Sequence, residues 1–206
     1  MTADLRHRFS DLRQRITAAA NAAGRNADSV GMIAVSKTRS ADEIRALAQA
    51  GQQHFGENYL QEALSKRDAL RDLPLCWHFI GPLQSNKTAE VAGHFDWVHS
   101  VDRLRIAERL SQQRPADQGP LQVCVQVNLS GEASKSGCTP AELPALCHAV
   151  SRLPGLRLRG LMTLPAPPQP GDDPRRPFAD LRAHFDAMRA GGLPLDTLSA
   201  GMSDDF

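Results

Sequence analysis

From residue 32 onward, short apolar runs alternate with stretches whose apolar residues recur at helical spacing. Seven runs stand out, at 31–37, 53–57, 76–81, 96–101, 121–128, 156–164 and 195–202, with helical patterns near 40–50, 59–71, 85–92, 102–113, 139–151 and 176–190. Apolar runs of strand length without polar alternation suit parallel strands covered on both faces, and strands that alternate with helices read as repeated βα units. A further helix opens the chain, with Leu5, Phe9, Leu12 and Ile16 on one face and Gly24 at its end. Two helix starts are written as capping boxes. Ser40-Ala-Asp-Glu43 leads into Ile44, Leu47 and Ala48 and is closed by Gly51, and Thr139-Pro-Ala-Glu142 places proline at the first helical position. The Pro-rich stretch 165–170 predicts a long loop rather than a linker, because one more βα unit follows it.

Seven βα units fit either a (β/α)8 barrel that lacks its last unit or an open doubly wound sheet. No Gly-x-Gly-x-x-Gly follows an early run, which removes the usual dinucleotide signature of the open sheet and favours the barrel. A complete barrel takes about 250 residues, roughly 30 per unit, so 206 residues fall about one strand and one helix short. The predicted fold class is therefore α/β, a TIM-type barrel.

Composition adds bounds. A chain of 206 residues with 41% hydrophobic content has enough material for one sizeable core. A net charge of +1 gives no electrostatic case for nucleic acid or membrane as a main partner. The charged N-terminal stretch has no apolar core of signal-peptide length and no run reaches bilayer-spanning length, so a cytoplasmic protein is expected. The scatter of Cys76, Cys124, Cys138 and Cys147 fits neither a zinc site nor a disulfide framework, and reduced, mostly buried thiols are expected.

In a barrel, the residues at the carboxyl ends of the runs share one mouth. Here they are unusually polar: Lys37 after Met32-Ile-Ala-Val-Ser, Glu57-Asn58 after the second run, Gln84 to Lys87 after the third, Asp102, Asn128 and Thr163 after the next three, and Ser199-Ala-Gly-Met-Ser203 at the seventh. A Ser/Gly-rich turn that runs into a helix start suits phosphate, which barrels often bind after their last strands. A lysine that loses solvent becomes nucleophilic and forms a Schiff base with carbonyl compounds. A lysine and a phosphate cradle in one mouth point to an aldolase-type sugar-phosphate enzyme or to pyridoxal phosphate (PLP). On the first run alone, a solvated lysine at a strand end remains the commoner reading, and turn chemistry or helix capping remains open for each serine. His78, mid-run, reads as a satisfied core histidine rather than a ligand.

The blocks Ala34-Val-Ser-Lys37-Thr, Phe55-Gly-Glu-Asn-Tyr59, Trp77-His-Phe-Ile-Gly-Pro-Leu-Gln-Ser-Asn-Lys87, Ser134-Lys-Ser-Gly137, Gly160-Leu-Met-Thr163 and Leu198-Ser-Ala-Gly-Met-Ser-Asp-Asp205 together resemble the pyridoxal phosphate homeostasis proteins over nearly the whole chain. That family is similar to the barrel domain of alanine racemase standing alone. The resemblance implies a single PLP-binding barrel domain over residues 1–206, with PLP held as a Schiff base on Lys37. It also implies that Asn58, Met162 and Thr163 line the cofactor, and that Ser199, Gly201, Met202 and Ser203 form the phosphate side. Lys135 matches a second lysine common to the family, though as a loop residue it reads first as solvated.

Family members continue past Met-Ser-Asp-Asp into a last helix and strand that supply an arginine beside the pyridine ring and glycine amides at the phosphate. Nothing here corresponds, so a truncated C-terminus and a longer working protein are expected. A protein that ended at Phe206 would hold PLP weakly and expose strand edges. The function implied is a carrier or buffer in intracellular vitamin B6 homeostasis, with PLP-dependent apoenzymes as possible recipients, no nucleic-acid or membrane partner, and a monomeric state. The alternative is a PLP-dependent amino-acid racemase-like enzyme. Two-base racemisation needs an acid/base on each face of the substrate imine; in alanine racemase the second comes from another domain, for which 206 residues leave no room. A one-base enzyme using Lys37 alone is open to chemistry but has no second well-placed titratable group in its favour. A third reading, an aldolase without PLP, would use Glu57 beside the lysine.

Overall fold

The computed structural model describes residues 2–131, 136–167 and 171–202. They fall into two compact units, residues 1–78 and 79–206.

In the first unit, α1 (Thr2–Ala22) precedes β1 (Ala34–Val35), α2 (Ala41–Gln49), β2 (His54–Glu57) and α3 (Leu60–Ala69), and the unit ends within β3 (Cys76–Phe79). The capping box at α2 forms as the sequence predicts. Ser40 Oγ accepts from the Glu43 amide at 3.2 Å and the Glu43 carboxylate accepts from the Ser40 amide at 2.8 Å. Gly24 and Gly51 both take positive φ, +66° and +99°, where their helices stop. β1 pairs with β2 in parallel, Val35 opposite Gly56, and Ser36 continues the ladder by donating its amide to the Gly56 carbonyl.

The first strand differs from expectation. The run 31–37 predicts a strand that ends on Lys37 and is covered on both faces. Only Ala34–Val35 is strand, Val35 is 46% exposed, and Lys37 sits in the turn beyond it. The Met32 carbonyl accepts from the Gln52 side-chain amide instead of joining a ladder, and Thr38 at φ +64° bends the chain away immediately after Lys37. Apolar composition had no means of showing either event.

In the second unit, α4 (Thr88–His94), β4 (Trp97–Val101), α5 (Leu104–Gln113), β5 (Leu121–Gln126), α6 (Leu143–Val150), β6 (Leu156–Thr163), α7 (Arg176–Ala190) and β7 (Thr197–Ala200) follow in order. β4 to β7 are parallel neighbours in sequence order. Their apolar residues make the core: Val98, Val101, Val123, Val125 and Leu161 are fully buried, and α5 lays down Ile106, Ala107 and Leu110 from one stripe. Gly160 stands where β6 meets β7 and has no room for a side chain, since a Cβ there would run into the Thr197 carbonyl. The Thr139–Glu142 box also forms, one turn ahead of the helix proper, with Thr139 Oγ1 accepting from the Glu142 amide at 3.3 Å. Both units thus alternate strand and helix as the periodicity predicts. Cys124, Cys138 and Cys147 are buried, Cys76 is half-buried, and no disulfide is present.

Candidate functional site

Lys37 stands at the carboxyl end of β1, and the β1–β2 register sets it level with Glu57 and Asn58. Its side chain is exposed rather than desolvated, but its backbone is held from both sides. On the N-terminal side, the Ser36 carbonyl accepts from Lys66 Nζ at 2.5 Å. On the C-terminal side, the Thr38 amide donates to Glu62 Oε1 at 2.5 Å. A β-branched residue at φ +64° costs on the order of 1–3 kcal/mol and persists only where its surroundings impose it.

The two clamps are one network. Lys66 Nζ also bonds Glu57 Oε1 at 2.7 Å and Glu62 Oε1 at 2.6 Å, and Ser36 Oγ donates to Glu57 Oε1 at 2.7 Å. Glu57 is fully buried and Lys66 nearly so, which makes this an ion pair inside the unit rather than a solvated surface contact. The bond from Lys66 holds the Glu62 carboxyl below the usual carboxylate range, against a smaller opposing effect of burial, and the Thr38 amide adds to the lowering. Glu57 therefore commits Oε1 to Lys66 and Ser36. Its Oε2, and Oδ1 of the following residue Asn58, are buried and meet no hydrogen-bond partner among the described residues. An orphaned amide oxygen level with an exposed lysine is what a bound polar ligand would satisfy.

In the second unit the expected residues gather on β6 and β7. Met162 lies opposite Ser199 and Thr163 opposite Ala200. Both Met162 and Thr163 are buried, and Thr163 Oγ1 donates to the Val127 carbonyl at 3.1 Å, so this hydroxyl secures the neighbouring strand. Ser199 Oγ lies 2.8 Å from His99 Nδ1. Burial drives the His99 pKa down to about 4, so the ring is neutral near pH 7, and Trp97 stacks on it at 5.6 Å beneath the Arg159 guanidinium. Beyond Ser199, Gly201 adopts φ +103°, which glycine alone takes without strain, and Met202 follows half-buried. Ser203 and Lys135 lie outside the described residues.

The structure thus brings Lys37 and Asn58 together in one unit and Met162, Thr163, Ser199, Gly201 and Met202 together in the other. Sequence reasoning did not find Ser36, Glu62, Lys66 or His99. The Glu62–Lys66 spacing of four on α3 is a legible helix pair, but that spacing ordinarily means a solvated pair, and nothing in it shows Lys66 turning inward to Glu57.

Comparison with known proteins adds to this geometry. The family described as alanine racemase, N-terminal domain, matches residues 4–206. The pyridoxal phosphate homeostasis protein of Pseudomonas aeruginosa is 60% identical over 192 residues, 93% of this chain and 82% of that protein. Its counterpart in Escherichia coli K12 is 47% identical over 206 residues, covering 98% and 88%. Among solved structures, PipY of Synechococcus elongatus with PLP bound is similar with a TM-score of 0.83 and 38% identity over 98% of this chain and 90% of that one. Its structure without PLP gives 0.85 and 39% over the same shares. An alanine racemase of Clostridium difficile, at 13% identity and a TM-score of 0.65 over 85% of this chain and 48% of that one, shares the fold. The expected fold class, α/β of the alanine racemase N-terminal type, is borne out by these likenesses.

Proposed function

We propose, from the premise that this chain belongs to the pyridoxal phosphate homeostasis protein family, that it binds pyridoxal 5'-phosphate covalently on Lys37 and carries or buffers the cofactor inside the cell. The observation that carries the reading is the clamp around Lys37. Lys66 holds the carbonyl before it, Glu62 holds the amide after it, and the amine is left exposed on a turn that the network keeps in one conformation. When bound, PLP supplies an aldehyde that condenses with an amine to a Schiff base.

Each unit presents residues that suit a part of that group. Asn58 Oδ1, one residue beyond β2, is a buried acceptor without a hydrogen-bond partner among the described residues. Ser199, Gly201 and Met202 offer a hydroxyl and backbone amides at the end of β7, the arrangement a phosphate takes. Ser203 joins them in this reading on the strength of the sequence block alone. Neutral His99 fixes the Ser199 side chain through Nδ1; where the ring donates that proton, the serine hydroxyl keeps its own for an acceptor.

We read the protein as holding the cofactor without turnover. Its relatives are named for homeostasis, and Glu57, the carboxylate nearest Lys37 in sequence register, is already paired to Lys66. A monomer working in the cytoplasm, with PLP-dependent apoenzymes as recipients, completes the proposal.

Borohydride reduction of the PLP-loaded protein followed by peptide mass mapping should place the adduct on Lys37, and Lys37→Ala should lose the visible absorption of the loaded protein. An adduct mainly on Lys66, Lys87 or Lys135, with Lys37→Ala still coloured, would overturn the assignment. The loaded protein incubated with L-alanine should leave its optical purity unchanged, whereas racemisation abolished by Lys37→Ala would make it an enzyme.

A further inference from the structure

At the start of β2 and β3, on the strand ends opposite Glu57 and Asn58, three metal-competent side chains converge. His54 Nδ1 lies 2.9 Å from His78 Nε2, Cys76 Sγ lies 3.4 Å from the same nitrogen, and the three donor atoms all fall within 4.8 Å of one another. Local structure explains the convergence. Cys76 and His78 are two apart on β3, so they project from one face of the strand. The Cys76 amide donates to the Gln53 carbonyl at 2.9 Å, which sets His54 beside them on the adjoining strand. Phe55 and Trp77, the alternate residues, pack on each other with ring centroids 6.1 Å apart. His54 is exposed, Cys76 half-buried and His78 buried, so the cluster runs from solvent inward.

We propose that His54, Cys76 and His78 form a metal site for a borderline d-block cation of the Zn2+ type, with its fourth position open to water. Two imidazoles and a thiolate are the donor set that zinc takes in tetrahedral sites with one exchangeable position. Bonds of about 2.0–2.1 Å to nitrogen and about 2.3 Å to sulfur put tetrahedral N···N and N···S edges near ~3.3 and ~3.6 Å. The separations of 2.9 and 3.4 Å need to open by only a few tenths of an ångström, and the third edge, between His54 and Cys76 and within 4.8 Å, is brought to the tetrahedral value by rotation of the exposed His54 side chain. The other thiols are poor competitors. Burial pushes Cys124 and Cys147 up to about 12 and Cys138 up to about 11, whereas a metal ligand must be the thiolate. The site lies three residues along β2 from Glu57, about 10 Å at ~3.3 Å per residue, and is therefore separate from the Lys37 clamp.

Zinc titration of the PLP-loaded, reduced protein against a chromophoric chelator should find one tight equivalent per chain. Zinc-edge X-ray absorption should show one sulfur at ~2.3 Å and nitrogen neighbours at ~2.0 Å. Cys76→Ser and His54→Gln, each checked for folding by circular dichroism, should weaken binding by more than about a hundredfold, since loss of a group that merely orients a ligand already costs ten- to a hundredfold. Both variants should keep PLP on Lys37, so failure here is distinct from failure of the cofactor assignment. No equivalent bound at micromolar zinc, a shell without sulfur, or affinity unmoved by both substitutions would overturn the proposal.

Discussion

Replacing Lys66 by methionine keeps the aliphatic stem and removes the charge that faces Glu57 inside the first unit. In the wild type, Lys66 Nζ satisfies Ser36 O, Glu57 Oε1 and Glu62 Oε1 at once, with its side chain 8% exposed and that of Glu57 0%. Removing one member of a buried pair leaves the other charge uncompensated and costs about 3–5 kcal/mol, against about 0–1 kcal/mol for an exposed pair. A domain of this kind has a total stability of about 5–15 kcal/mol, so the larger figure is easily seen. Equilibrium urea unfolding of wild type, Lys66→Met, Glu57→Gln and the double variant measures it, with the slope m checked for constancy. Lys66→Met should lose about 3–5 kcal/mol, and the double variant should recover much of that because no charge stays buried. PLP attachment to Lys37 should weaken in the single variant, because the Ser36 carbonyl has lost its donor. A loss under about 1 kcal/mol, or a double variant as unstable as the two singles added, would refute the buried network as the support of the Lys37 turn.

His99 predicts an acid sensitivity. Its folded pKa of about 4 lies below the ordinary 6.5, so its contribution is complete above pH 6.5 and fades as pH falls toward 4, by about 3 kcal/mol at about 1.4 kcal/mol per pH unit. His99→Asn keeps an amide near Nδ1 for Ser199 and should flatten that part of the stability profile; an unchanged profile would show that the ring is not held neutral. Ser199→Ala should weaken PLP about ten- to a hundredfold, the worth of one hydrogen bond to a charged group, and leave phosphate-free pyridoxal nearly unaffected. Equal loss for both ligands by fluorescence titration would make Ser199 an anchor for His99 alone.

Among the described residues, periodicity by itself placed the strands and the helices between them, though the first run keeps only Ala34–Val35 as strand. Apolar runs and 3.6-residue stripes report burial directly, and burial drives the fold. The capping boxes at Ser40 and Thr139 were equally legible, because their hydrogen bonds close within three residues. The proposal of Lys37 as the cofactor lysine rests on ordered blocks at consistent spacing. What tertiary structure alone decided were the contacts between residues far apart in the chain and the polar groups that burial redirects. Lys66 reads in sequence as half of a solvated helix pair with Glu62, but α3 turns it inward onto a carboxylate from β2 and the Ser36 carbonyl just beyond β1. The bend at Thr38 answers to that network and not to any turn residue of its own. His99 and Ser199 are 100 residues apart, and only the parallel strands of the second unit bring them to 2.8 Å. The same holds for His54 and the Cys76–His78 pair. Cysteine spacing holds no metal pattern because His54, the third residue of the cluster, belongs to the neighbouring strand, and strand pairing is a long-range choice that no local window records.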